Sequence, residues 1–299
     1  LLSAADVKSN PLAIKMMGPS ARLVAALGGD FRWQHLPVPF EVYADGIDLV
    51  VFEEFGSGAE ALHLRDEVER DELLRDEAYR RRFRKDYESK FGVRVWHRDF
   101  FDAEIVECPD AAVIGKTFGQ VGVERGGLHP VDAFLDLVVE HGRAVRWRTT
   151  ISNHRPEVLR QMAVEPGIQM GFSDAGAHLR NMAFYNSGLR LLRHVRDAER
   201  AGRPFMSVEH AVHRMTGELG DWYDIDAGHL RVGDRADVVV VPHAVAVAGV
   251  HVGVHVAVHV RVAAVEVVRV LHQRHLAPTC STTRLSRAPA ALFIPTPAV

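Results

Sequence analysis

The chain has 299 residues, 47% of them hydrophobic and 25% charged, with a formal net charge of −3 and a pI near 6.7. That length suffices for one large α/β domain or two smaller ones, and the composition is that of a soluble globular protein. The charge balance gives no electrostatic ground for nucleic acid or an anionic membrane as partner, and the two cysteines, Cys108 and Cys280, argue against a disulfide scaffold and suit a reducing cytoplasm.

In chain order, the first residues lack the basic start and apolar run of a signal peptide, and the opening on Leu1 reads as processing or as a fragment. Residues 1–30 predict a helix opened by Pro11 and closed by Gly28 and Gly29. The run Phe31-Arg-Trp-Gln-His-Leu alternates as a strand, stopped by Pro37 and Pro39. From Gly58 to Lys90 the chain is dense in Arg, Asp and Glu, and Tyr79, Phe83, Tyr87 and Phe91 recur every four residues as an inward stripe. This segment reads as a solvated helical hairpin, which its charge favours, or as a lid over a site.

Pro130 opens a helix with apolar Val131, Phe134, Leu135 and Val138, and Gly142 caps it. Val145 to Ile151 alternates as a strand, Pro156 opens a helix from Glu157 to Ala163, and Ile168 to Ser173 is a second strand. Strand, helix and strand at this spacing predict a parallel pair with a right-handed crossover. Asp174 then falls just past the carboxyl end of the second strand, the edge where α/β proteins carry ligands and catalytic groups. Helices are expected at about 187–201 and 207–219, with Ser207 as an N-cap, and a β-hairpin from Asp226 to Val241. From about Pro242 the composition turns to Val, His and Ala, too broken by His, Arg and Glu to span a bilayer. His251, His255 and His259 share a face there and could bind metal, but low complexity is the simpler reading.

One ordered set of motifs resembles the back half of D-aminoacylase-like amidohydrolases, the N-acyl-D-amino-acid deacylases. It comprises Trp33-Gln-His-Leu-Pro-Val-Pro-Phe, Val95-Trp-His-Arg-Asp-Phe, Gly115-Lys-Thr-Phe, Glu124-Arg-Gly and Pro130-Val-Asp-Ala-Phe-Leu-Asp-Leu. It continues with Gly171-Phe-Ser-Asp-Ala-Gly-Ala-His, His213-Arg-Met-Thr-Gly and Leu230-Arg-Val-Gly-Asp-Arg-Ala-Asp-Val-Val-Val, covering roughly residues 8–241. The resemblance implies an α/β fold: part of a (β/α)8 TIM-type barrel with part of a small β-sandwich. The barrel would take 1–219, with 56–95 as a charged helical insertion, and the small β domain 220–241, leaving 242–299 as a biased tail.

The resemblance also implies one or two divalent metals, usually zinc, and a small-molecule N-acyl amino acid as substrate. Zinc lowers the pKa of a bound water to about 7 and polarises a carbonyl. Asp174 occupies the position of the family's metal-adjacent general base, with an ordinary loop or N-cap aspartate as the alternative. His178, four residues on, reads as a substrate-carboxylate contact or as a helix-terminus histidine, with Arg180 and Asn181 as further substrate-binding candidates. His154 belongs to the same barrel edge or to a structural loop. His35, His97 and Cys108 do not match the family's metal ligands, and Lys116 matches a strand-end position without a ligand role.

The sequence departs from the family in having no His-x-His, and the bridging ligand and middle-strand histidines are expected upstream of residue 1. A catalytic zinc needs about three protein ligands, so metal binding by this chain alone is expected to be weak. A non-catalytic remnant and a dihydropyrimidinase-like cyclic amidase are the alternatives to a deacylase.

Overall fold

A computed structural model describes residues 3–92, 94–171, 179–182, 184–235 and 237–239, and the backbone of 257–259. The chain is a mixture of helices and strands forming two compact units, Leu1–Leu191 and Leu192–Val299. The strands of the first unit make two separate three-stranded sheets, and no closed barrel is formed among the described residues.

The first sheet is parallel, with β1 (Ser3–Ala4), β2 (Trp33–His35) and β6 (Ile168–Met170) in the order β1-β2-β6. The first thirty residues are therefore not one helix: a strand comes first, and helix α1 (Ile14–Ala26) begins only after Pro11. Met17 of α1 packs with Ala4, Val158, Leu159, Met162 and Ile168, joining α1 and α7 (Pro156–Val164) to the sheet.

The second sheet is antiparallel, with β3 (Phe40–Asp45), β5 (Arg146–Ser152) and β4 (Glu104–Glu107) in the order β3-β5-β4. Strand β3 starts directly after the prolines that end β2, where the sequence predicts only a stop. Alternation in β5 sends Trp147, Thr149 and Ile151 into the interior. On the other face, Arg146 lies over the Tyr43 ring at 5.2 Å and Arg148 pairs with Glu104 at 2.9 Å.

The predicted parallel pairing of 145–151 with 168–173 is not formed. β5 is the centre of the antiparallel sheet, and β6 joins β2. The strand–helix–strand spacing is present, but the long-range partners β3 and β4 occupy both edges of β5.

The charged segment forms three helices, not a two-helix hairpin: α2 (Gly56–His63), α3 (Glu67–Arg75) and α4 (Glu77–Glu88). Asp66 and Asp76 cap the last two, their carboxylates accepting from the first-turn amides of Val68, Glu69 and Tyr79. Tyr79 and Phe83 are buried, and Tyr87 stacks on Phe100 at 5.1 Å. Phe91 leaves the expected stripe and is 90% exposed, because α4 ends at Glu88. Arg84 grips Asp132 with two 2.6 Å bonds and Arg80 meets Asp136 at 2.7 Å, fastening α4 to α6 (Pro130–His141). Between them lies an aromatic core in which Phe134 stacks on Phe100 at 4.7 Å and on Phe52 at 5.6 Å. Helix α5 (Phe118–Glu124) adds Phe118 to it, and Gly142, at φ 56°, ends α6 as predicted.

In the second unit, helix α8 (Ser187–Arg200) straddles the division, followed by α9 (Val208–Met215) and α10 (Gly217–Tyr223). The Ser207 hydroxyl accepts from the His210 amide at 3.1 Å, the expected N-cap. Within the expected hairpin of 226–241, the described residues include one strand, β7 (Asp237–Val239), which pairs with β8 (Ala257–His259). His251 and His255 lie outside the described residues. No described helix is long and apolar enough to cross a membrane.

Candidate functional site

Three parallel strands running out together give the first sheet one carboxyl edge. Here β1 continues into Asp6 and Lys8, β2 into Leu36 and Val38, and β6 into Gly171. A Cβ at Gly171 would stand 1.6 Å from Oε1 of Gln34 on β2, so a larger residue there would have to displace the Gln34 side chain. The next residues, 172–178, carry Asp174 and His178, and both lie outside the described residues.

The end of β5 meets this edge. The Lys8 amide donates to the Ile151 carbonyl at 3.1 Å, and the Asn153 amide donates to the Asp6 carbonyl at 2.9 Å. Asn153 adopts φ 60°, a conformation that asparagine tolerates better than most residues. Its side chain clasps the ends of β1 and β2. Oδ1 accepts from the Asp6 amide at 2.9 Å, and Nδ2 donates to the carbonyls of Leu36 at 2.9 Å and Val38 at 3.1 Å.

The Asp6 carboxylate is buried and forms a two-pronged pair with Arg155, one prong being Nε to Oδ2 at 2.8 Å. His154 Nδ1 stands 3.7 Å from the same Oδ2. A second carboxylate, Asp102, collects three groups on one oxygen: Lys8 Nζ, His97 Nε2 at 2.8 Å and Thr149 Oγ1 at 3.4 Å. Burial, reinforced by the Lys8 charge, holds the His97 imidazole below its ordinary range despite the opposing carboxylates of Asp102 and Asp99. The imidazole is therefore neutral at pH 7. Arg98, beside it, is fixed at φ 53° by bonds to the carbonyls of Asp86 at 2.7 Å and Glu54 at 3.1 Å.

The other candidates are placed elsewhere. Arg180 donates to the buried carboxylate of Asp45, which also accepts from Arg146 at 2.6 Å. Burial raises the Asp45 carboxyl, but the hydrogen bonds from Arg180 and Arg146 outweigh it and hold the group below its ordinary value. Asn181 Nδ2 donates to the carbonyls of Tyr43 at 2.8 Å and Asp48 at 3.1 Å. These contacts gather at the Arg146 end of β5, ~20 Å along the strand from Ser152 and Asn153 at about 3.4 Å per residue. The structure thus does not bring Arg180 and Asn181 to the cluster around Asp6.

His35 is buried, with Nδ1 at 2.9 Å from the Ala4 carbonyl. Lys116 pairs with Glu124 at 2.6 Å, and burial pushes the Cys108 thiol up. Sequence reasoning passed over Asp6, Lys8, Asp102, Asn153 and Arg155. Only Asn153 carried a signal, as an asparagine between a strand and a proline-opened helix.

The described residues do not fit a zinc ion. No group of three or more His, Cys, Asp or Glu side chains among them could hold a metal. Asp6 with His154 and Asp102 with His97 each offer a carboxylate and one imidazole, with Arg155 and Lys8 already neutralising the carboxylates. The edge does offer paired cations and carboxylates and a neutral imidazole, chemistry suited to a small polar molecule and to moving a proton.

No family model matches the chain. An uncharacterized protein of Mycobacterium bovis and uncharacterized proteins of two Mycobacterium tuberculosis strains are each 60% identical to it over 244 residues. The match takes in 81% of this chain, which spans 40% of the length of these curated relatives. Among solved structures, an N-acyl-D-glutamate deacylase from Bordetella bronchiseptica, complexed with zinc and a phosphonate inhibitor, is 18% identical, with a TM-score of 0.41. That likeness covers 74% of this chain and 35% of the deacylase chain, and at this level it assigns neither fold nor activity.

Proposed function

We propose that this chain is part of a cytoplasmic hydrolase that removes the acyl group from N-acylated amino acids, of D configuration. The observation that supports this most is the run Gly171-Phe-Ser-Asp-Ala-Gly-Ala-His leaving β6 at the carboxyl edge of a parallel sheet. In the reaction, water adds to the acyl carbon and the carbon–nitrogen bond breaks. Asp174 takes the proton from the attacking water and returns it to the departing nitrogen. His178 is the proposed contact to the substrate carboxylate; Arg180 and Asn181, tied to Asp45, Tyr43 and Asp48 at the far end of β5, are left out of it. Because the chain spans 40% of its relatives' length, the activity is proposed for the longer polypeptide.

The test is turnover of N-acetyl-D-amino acids by the intact mycobacterial relative, with and without Asn at the position of Asp174. Asp174→Asn is expected to lower kcat by about 10²–10⁴-fold, the range for loss of a general base. Undiminished turnover in the mutant removes Asp174 from the mechanism. The absence of any His-x-His favours a second reading, in which the 299-residue chain is itself non-catalytic. Turnover by that chain alone would overturn it.

A further inference from the structure

At the Arg146 end of β5, away from the carboxyl edge, the first unit holds a cavity of about 210 Å³. The turn after β3, the first turns of α3 and the end of α6 line it, and buried Ile47 and Val138 supply apolar surface. Their spacing puts Glu67, Arg70 and Asp71 on one face of α3, and all three border the cavity. Arg143 joins them from just past α6. Asp48 gathers the two guanidiniums: Oδ1 stands 3.6 Å from Arg70 Nη1, and Oδ2 stands 2.6 Å from Arg143 Nη1. One carboxylate thus serves two arginines, and a positive charge is left over. Asp45, also in the lining, already accepts from Arg146 and Arg180. The Glu67 and Asp71 carboxylates have no hydrogen-bond or ion-pair partner among the described residues, although Asp71 is partly buried.

We propose that this cavity binds a free α-amino acid with a small aliphatic side chain, as a zwitterion. The ligand carboxylate meets the surplus guanidinium charge of Arg70 and Arg143, its ammonium meets the open carboxylates of Glu67 and Asp71, and its side chain covers Ile47 and Val138. Other ligand classes match fewer of these groups. A plain anion leaves both open carboxylates unmatched and adds negative charge beside them. A plain cation leaves the surplus guanidinium charge unmatched. A metal ion finds no group of three or more His, Cys, Asp or Glu side chains to hold it among the described residues. A larger molecule is disfavoured by volume, since sites for drug-sized ligands run to ~300–1,000 Å³. The inference stands whether or not the protein is a deacylase, because none of these residues belongs to the carboxyl edge.

The test is a ligand-observed NMR titration of the full 299-residue chain with L-valine and D-valine. Two analogues are titrated beside them: 3-methylbutanoate, which lacks the ammonium, and isobutylamine, which lacks the carboxylate. Valine of at least one configuration is expected to bind, and each analogue to bind on the order of ten-fold or more weakly, as for the loss of a charge-assisted hydrogen bond. Asp71→Asn and Arg143→Gln are each expected to weaken valine binding by a similar factor, with unchanged melting temperatures showing that both variants fold. Asp174→Asn, at the carboxyl edge, is expected to leave it unchanged. Failure of both valines to bind overturns the proposal, and so does an analogue that binds as tightly as valine. Valine binding that survives both cavity substitutions but is lost in Asp174→Asn also overturns it, placing the amino acid at the carboxyl edge and leaving the deacylase reading intact.

Discussion

The left-handed backbone at Asn153 and at Arg98 costs on the order of 1–3 kcal/mol at each position, and both residues flank the carboxyl-edge groups. Each is held by several side-chain bonds at once, so the strain goes into fixing where Asp6 and His97 sit. Glu54 shows the same trade near Arg98. Its carboxylate accepts from the amides of Val95 at 2.9 Å and Trp96 at 3.3 Å. Burial pushes the Glu54 carboxyl above its ordinary value, and the amides, with Arg98 and Arg94, offset only part of that. A raised carboxyl favours the folded state at pH values where it is protonated, and this benefit is lost as pH rises from the unfolded value through the folded one. Glu54→Gln keeps an acceptor for both amides, so it is expected to raise the melting temperature at pH 7 and to leave it unchanged at pH 4, by scanning calorimetry. None of this was legible in the sequence. The partners of Asn153 are Asp6, Leu36 and Val38, more than a hundred residues away, and no local pattern points to them.

At the scale of elements, local signals fared better. Proline at the start and glycine at the end gave α6, and aromatic spacing gave the buried face of α4, because both follow from helix geometry within a few turns. The same periodicity could not say where α4 stops, and Phe91 fell outside it. Phe83→Ala removes a ring packed against Phe55 at 5.2 Å and is expected to cost ~3–5 kcal/mol. Phe91→Ala is expected to change stability by less than ~0.5 kcal/mol. Urea unfolding of both variants checks the pair, and equal effects would mean that the charged helices do not share the core. Strand pairing was where the sequence misled. The segment from β5 to β6 has the spacing of a parallel unit, yet β5 takes antiparallel neighbours contributed by residues 40–45 and 104–107. Alternation says that a strand exists and which side is buried; it does not say which strand lies beside it.

For the whole molecule, a family resemblance and an order of motifs were legible in the sequence, and the structure adds the parallel sheet in which β2 and β6 end side by side. The proposed base, Asp174, has no His-x-His in this sequence to help it hold a metal. The purified 299-residue chain is expected to retain well under one zinc per molecule after dialysis, measured by plasma mass spectrometry; a full equivalent would place enough ligands within this chain. The parallel sheet also has a consequence for biosynthesis. β2 pairs on one side with β1 and on the other with β6, which is made roughly 130 residues later. At ~5–20 residues per second, the nascent chain holds an unfinished strand edge for about 7 to 27 seconds before its neighbour leaves the ribosome. Over that interval the aromatic core of the intervening segment can close, while the lateral side of β2 stays open to other chains and to chaperones.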